Sequence, residues 1–106
     1  MNYRYMRTVL MFDLPMETSQ NRKNYRHFLK YIKSEGFVML QKSVYTKFHV
    51  NRANLDVEKR RILTKVPMDG FISILSITEK QFQTIEHIIG SPKNKEINNT
   101  DRYIEL

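Results

Sequence analysis

A short apolar run stopped by a proline sets the first limit on what this chain can fold into. Residues 8–14 read Thr-Val-Leu-Met-Phe-Asp-Leu, and Pro15 follows. The run is too short for a helix of its own, and its nearly continuous apolar character predicts a central strand covered on both faces, or nearly so. The period then changes. Thr18 and Ser19 are N-cap candidates, and Tyr25, Phe28, Leu29 and Ile32 fall at i, i+3, i+4 and i+7. That spacing predicts a helix to about Glu35, with Gly36 as its stop. Residues 37–40 and 43–50 predict two strands. In the second, Val44, Thr46, Phe48 and Val50 alternate with Tyr45, Lys47 and His49. Asn51 or Asn54 can cap a second helix with Leu55, Ile62, Leu63 and Val66 on its buried side. Pro67 ends it, Asp69-Gly70 marks a turn, and residues 71–77 predict another strand.

The order is β-α-β-β-α-β. It predicts an α+β, ferredoxin-like fold, an antiparallel four-stranded sheet with both helices on one face. Residues 78–83 predict a helical turn, and residues 84–89, Thr-Ile-Glu-His-Ile-Ile, predict an extra C-terminal strand, with a short helix over 79–89 as the alternative. Gly90-Ser-Pro92 closes a domain spanning 1–92. Residues 93–106 form a C-terminal linker ending in a short alternating strand at 103–106, Tyr-Ile-Glu-Leu, which could add to a partner's sheet edge. A chain of 106 residues is one domain. A sheet with helices on one face leaves the other bare, and an uncovered apolar face predicts a two-fold dimer packed face to face.

Charge narrows the function. Residues 1–65 carry 14 Lys and Arg against 5 Asp and Glu, whereas residues 66–106 carry 4 against 6. The first two thirds thus favour a polyanionic partner. There is no cysteine, so neither a disulfide frame nor a thiolate metal site is available. Met1 leads into Asn-Tyr-Arg-Tyr rather than an apolar stretch, and no apolar run approaches the roughly 20 residues of a membrane-spanning helix. The expected location is the cytoplasm, with no membrane partner.

Asp13 is a lone carboxylate in an apolar strand. Such a group needs a backbone donor, a cation or a metal. It either accepts hydrogen bonds from the turn that follows or ligates a divalent cation. Magnesium takes oxygen ligands and keeps several waters, so one carboxylate per chain suffices if symmetry brings two together. Arg22, Lys23, Arg26, Lys30 and Lys33 cover one arc of the first helix beside its apolar face, opposed within that helix only by Glu35. That arc suits phosphate contact, which positions a nucleic acid without reading its sequence. Lys59, Arg60, Arg61 and Lys65 form a second cluster that Asp56 and Glu58 can pair at helical spacing. Tyr3 and Tyr5 interleave with Arg4 and Arg7, a pattern that can stack bases, although a core role suits at least one of them. His27, His49 and His87 lack metal-ligand spacing, and neither Ser43 nor Ser73 has a visible base.

With these residues in view, the chain resembles the CRISPR-associated protein two family. The resemblance rests on the element order, on Met11-Phe-Asp-Leu-Pro15, and on Gly36-Phe-Val-Met-Leu-Gln-Lys-Ser-Val-Tyr45. Arg4-Tyr-Met-Arg7, Ser34-Glu-Gly-Phe37 and Thr78-Glu-Lys-Gln-Phe82 resemble its type II-A branch. The resemblance implies a two-fold homodimer at the centre of the spacer-acquisition complex. There it would bridge two CRISPR integrase dimers and hold double-stranded prespacer DNA. It also implies that Asp13 is the metal-binding, catalytic Asp of a family described as endonucleases on RNA or DNA, dependent on Mg²⁺ or Mn²⁺. Arg22 or Lys23 would assist, and Tyr45 would be a supporting aromatic. The alternative to the bridging role is an active magnesium-dependent endoribonuclease or endodeoxyribonuclease. A generic module binding single-stranded RNA shares the element order, but residues 43–48, Ser-Val-Tyr-Thr-Lys-Phe, lack its aromatic-glycine string.

Overall fold

The computed structural model describes residues 5–90, in the order β1 (Met6–Asp13), α1 (Ser19–Ser34), β2 (Val38–Gln41), β3 (Val44–His49), α2 (Arg52–Leu63), β4 (Phe71–Thr78) and α3 (Glu79–Phe82). The strands form one sheet in the order β2-β3-β1-β4, and each neighbouring pair is antiparallel. This is the α+β arrangement expected from the sequence. The first apolar run is indeed central, paired on both sides.

Local chemistry sets the helix ends. The Thr18 hydroxyl accepts the Asn21 backbone N–H at 3.0 Å, and the Asn51 side chain accepts that of Asn54 at 2.8 Å. Each bond satisfies a donor that the helix leaves free. Gly36 follows α1 with φ +96°, a left-handed conformation that glycine adopts without strain.

Strand alternation splits the apolar residues between two layers. Leu10 lies opposite Tyr45 on one side and Ile74 on the other, so the three share the face that meets the helices. Phe12, Phe28 and Ile32 and, from α2, Ile62 complete that core. The Phe12 ring stands edge-on to Phe28 at 5.6 Å and stacks on Tyr45 at 5.8 Å. Ile32 is wholly buried, and truncating such a residue to alanine costs about 2–5 kcal/mol.

The opposite face is covered over part of its area only. Phe82 and Ile85 fold onto Val9 and Leu40, with Val38, Val44 and Ile77 around them. This corrects the expected strand over 84–89, which does not form. The Thr78 hydroxyl accepts the Gln81 N–H, and the Gln81 side chain accepts the Thr78 N–H. That reciprocal cap turns the chain into α3, and Ile85 beyond it closes on a sheet face instead of extending an edge, whereas Ile88 and Ile89 stay exposed. The helical turn expected over 78–83 does form as α3, capped by Thr78 and Gln83, while the longer helix over 79–89 does not. Leu63 and Val66 also depart from expectation. Both are exposed, because α2 ends at Leu63 and its buried arc closes with Ile62. The linker and terminal strand expected over 93–106, and Tyr3 and Arg4, lie outside the described residues. Among the described residues no helix is long and apolar enough to cross a membrane.

Candidate functional site

Asp13 is the last residue of β1 and points to the face opposite α1 and α2, where it is exposed. Its surroundings are apolar. Across the ladder stands Phe71, 77% exposed, and further along the same face are Met11 and Leu75, also exposed. None of the hydrogen bonds and ion pairs found among the described residues engages the Asp13 carboxylate, so the following turn does not claim it.

The backbone beneath that carboxylate is fixed. Gly70 has φ +102°, and a Cβ there would lie 2.8 Å from the Asp13 carbonyl oxygen and 3.0 Å from Pro15 Cδ. Only glycine allows the α2–β4 loop to close on the end of β1 in this way. The sequence marked Gly70 as a turn residue; its close approach to Asp13 was not legible there.

An exposed carboxylate with no protein donor suits a hard divalent cation, which takes oxygen ligands and retains waters. Among the described residues no group of three or more His, Cys, Asp or Glu could hold a metal. One chain therefore offers Mg²⁺ or Mn²⁺ a single protein oxygen donor group here. The residues fit such an ion only if further oxygens come from a second molecule.

The basic arc of α1 is a separate surface. Arg22, Lys23, Arg26, Lys30 and Lys33 are all exposed. None of them takes part in an ion pair found among the described residues. Arg22 also has a local task, since its Nη1 donates to the carbonyls of Met16 at 2.9 Å and Glu17 at 3.2 Å and ties down the β1–α1 connection. The second cluster is more neutralised. Its Arg61 meets Glu35 at 2.9 Å, but the expected pairing with Asp56 and Glu58 is not found among the described residues: Asp56 lies 3.5 Å from Arg52 instead, and Glu58 bonds Lys47.

Tyr45 is not brought to Asp13. It is buried, 2% exposed, against Phe12 on the helix side of the sheet, whereas Asp13 lies on the other side. The reason is register: Tyr45 pairs with Leu10, and residues of one strand separated by an odd number face opposite ways. Burial raises its phenol pKa above the ordinary value, with the neighbouring Tyr25 acting in the same direction.

Three buried polar groupings were not anticipated. Arg7 donates two parallel bonds to Glu79, 2.7 and 2.8 Å, with its guanidinium carbon 4.3 Å from the centre of the Phe82 ring. Lys47 bonds Glu58, whose carboxylate lies near that of Glu35. Burial, then the hydrogen bond to Glu58, raises the Glu35 pKa above the usual carboxylate range. His49 is enclosed, its Nδ1 3.1 Å from Asn54 Oδ1 and its Nε2 2.9 Å from Thr8 Oγ1. Burial lowers its pKa, opposed by the Asn54 bond. Thr8 is itself buried, whereas Asn54, at the other end of these contacts, is exposed. One signal was in the sequence: Thr78-Glu-Lys-Gln81 has capping-box spacing, which would have placed Glu79 at the start of a helix.

The family model described as CRISPR associated protein Cas2 matches residues 6–85. A CRISPR-associated endoribonuclease Cas2 of Treponema denticola is 42% identical over 101 residues, covering 95% of this chain and 100% of that protein. A protein of the same name from Ligilactobacillus salivarius is 41% identical over 95 residues, covering 90% and 93%. A solved crystal structure of cas2 superposes with a TM-score of 0.59 at 20% identity, covering 85% of this chain and 92% of that one, which supports the fold.

Proposed function

The chain belongs to the CRISPR associated protein Cas2 family, and from that premise we propose that it works as a nucleic-acid-binding homodimer in CRISPR spacer acquisition. The observation that carries this reading is the exposed basic arc of α1, whose cations find no carboxylate partners among the described residues. Two copies would close over the apolar ground of Met11, Phe71 and Leu75, leaving both arcs turned outward. In its cytoplasmic role the dimer would bridge integrase dimers and hold a prespacer duplex by its phosphates.

The test is binding. Sedimentation should return twice the chain mass. The protein, the integrase and a short duplex should form a joint complex at low salt. Lys30→Glu should weaken duplex binding and flatten the dependence of log affinity on log salt by about one unit for each phosphate that is no longer held. A monomer that ignores duplexes at low salt ends this reading.

A second reading, an endonuclease, is favoured by the unclaimed carboxylate of Asp13 and by the endoribonuclease name of the relatives. Asp13 from each copy would hold Mg²⁺ or Mn²⁺ through carboxylate oxygens; when bound, such an ion activates water and stabilises charge growing on the phosphate. The apolar residues around Asp13 would exclude bulk water once the faces close, while Arg22 and Lys23, on the separate α1 surface, would hold the strand by phosphates away from the cleaved bond. Asp13→Ala should abolish cleavage of RNA and DNA substrates while mass and thermal unfolding stay unchanged. Cleavage that survives this substitution, or survives a chelator, removes the reading.

A further inference from the structure

We propose that the groove between α1 and the α2–β4 loop receives one unpaired nucleotide of a bound nucleic-acid strand. The inference rests on the nucleic-acid-binding reading above and adds a site to it. The groove is open, about 500 Å³ in volume, and lined on the α1 side by Gln20, Asn24 and His27, with Phe28 at its base and Lys65 and Met68 on the far wall. That size lies within the range of about 300–1,000 Å³ typical of small-ligand clefts.

Three features point to a nucleotide. The groove continues the basic arc: His27 lies one helical turn from both Lys23 and Lys30, on the same side of α1. A strand whose phosphates follow those lysines passes the mouth of the groove, with Lys65 on the opposite wall. The two amides are also pre-set. Gln20 Nε2 donates to Asn24 Oδ1 at 2.8 Å, which leaves the Gln20 carbonyl oxygen and the Asn24 amide nitrogen for a ligand. One acceptor beside one donor matches the edge of a nucleobase, which presents the same alternation. Finally, Met68 is fully exposed at the lip although it is apolar, and Val66 beside it is also exposed. A polarizable thioether over a cleft is suited to cover the face of a base. A duplex keeps its bases stacked inside and cannot use this site, so the occupant is single-stranded.

The experiment measures binding of a fluorescent single-stranded oligonucleotide and of a blunt duplex to the full chain. The variants are Asn24→Ala, Met68→Ala and the pair together, with Lys30→Glu as the control for phosphate contact. The double variant should bind the single strand about tenfold more weakly, since removing the stacking and edge bonds of one base costs of that order. Its blunt-duplex affinity should stay within about twofold, and its salt dependence should not change because no cation was removed. Lys30→Glu should weaken both ligands. A 5-bromouridine oligonucleotide should photocrosslink to the peptide containing Met68. Equal losses for strand and duplex, or unchanged single-strand binding in the double variant, overturn the groove assignment and leave the phosphate surface standing. Crosslinks elsewhere, with the groove instead capturing the integrase, overturn it too. A wild-type chain that binds neither ligand at low salt overturns the proposed function itself.

Discussion

The sheet face opposite α1 and α2 is finished at one end and left open at the other. At the Arg7 end, α3 and the residues after it fold back. The Arg7–Glu79 pair is buried, Phe82 lies over the guanidinium, and Val9 and Leu40 are sealed. At the Asp13 end of the same strand, Met11 stays exposed, with Leu75 and Phe71 of the neighbouring β4, on the face of a carboxylate that nothing among the described residues holds. The first end uses charge to fasten structure; the second keeps charge and apolar surface available. Substitutions at the first should therefore register in stability, and side-chain substitutions at the second should register in association and chemistry.

The largest effect expected is Glu79→Ala. It strands a buried guanidinium without its carboxylate, a change that costs about 3–5 kcal/mol. Urea unfolding of the variant and the wild type measures it. Replacing both partners, Arg7→Met with Glu79→Leu, should recover most of the loss, because a buried pair is worth little over a well-packed apolar isostere. Equal losses in the single and double variants would show that apolar side chains cannot replace the pair, and a negligible loss in Glu79→Ala would show that α3 is held by Phe82 alone.

Gly70→Ala should come next, at about 1–3 kcal/mol. It lies at the open end, so it tests whether that end is loose or only uncovered. The substitution forces a side chain into φ +102° and drives a Cβ to 2.8 Å from the Asp13 carbonyl, a backbone atom that cannot step aside cheaply. A neutral outcome would mean that the end of β1 yields, and that Asp13 is not held in one place.

How much of this was legible follows the range of each interaction. The helical arc Tyr25, Phe28, Leu29, Ile32 and the caps Thr18 and Asn51 are local, and the structure has them as the spacing indicated. The alternation over 44–49 placed β3 for the same reason. The Arg7–Glu79 pair joins residues 72 apart in sequence, and no periodicity reports such a meeting. Residues 84–89 have strong β propensity, yet a strand also needs a neighbour to pair with, and the capped α3 had already turned the chain away. Asp13 was visible as a carboxylate in an apolar run, but the turn and the cation were both open to it until the face around it was seen. Tyr45 was singled out by family resemblance; the β3 register buries it beside Phe12 instead.

A smaller effect separates the two ends by pH. His49 lies under the fastened end, opposite Met6, and burial holds its pKa below 6.5. The unfolded chain therefore takes up the proton more readily. Stability from His49 is fully present above pH 6.5 and declines as pH falls through and below it, no more steeply than about 1.4 kcal/mol per pH unit for one proton. Unfolding measured from about pH 7.5 to 5 should show this decline, and His49→Gln should flatten it. An unchanged slope in that variant would assign the decline to other groups.

The smallest effect concerns Asp13→Asn, and it has two parts. In the dilute monomer, stability should move by less than about 0.5 kcal/mol, because the side chain is exposed and bonded to nothing within the described residues. In the proposed face-to-face dimer, two Asp13 carboxylates approach across an apolar seam, where like charges repel more strongly than in water. With chelator present, Asn should therefore tighten dimerisation by about threefold, an effect worth roughly half a kcal/mol. Added Mg²⁺ should strengthen the wild-type dimer and leave the variant unmoved, since only the carboxylates gain from the ion. Sedimentation equilibrium with and without the ion distinguishes the cases. A variant dimer indifferent to the substitution, alongside a wild type indifferent to Mg²⁺, would place the two carboxylates far apart and move the two-fold axis away from the end of β1.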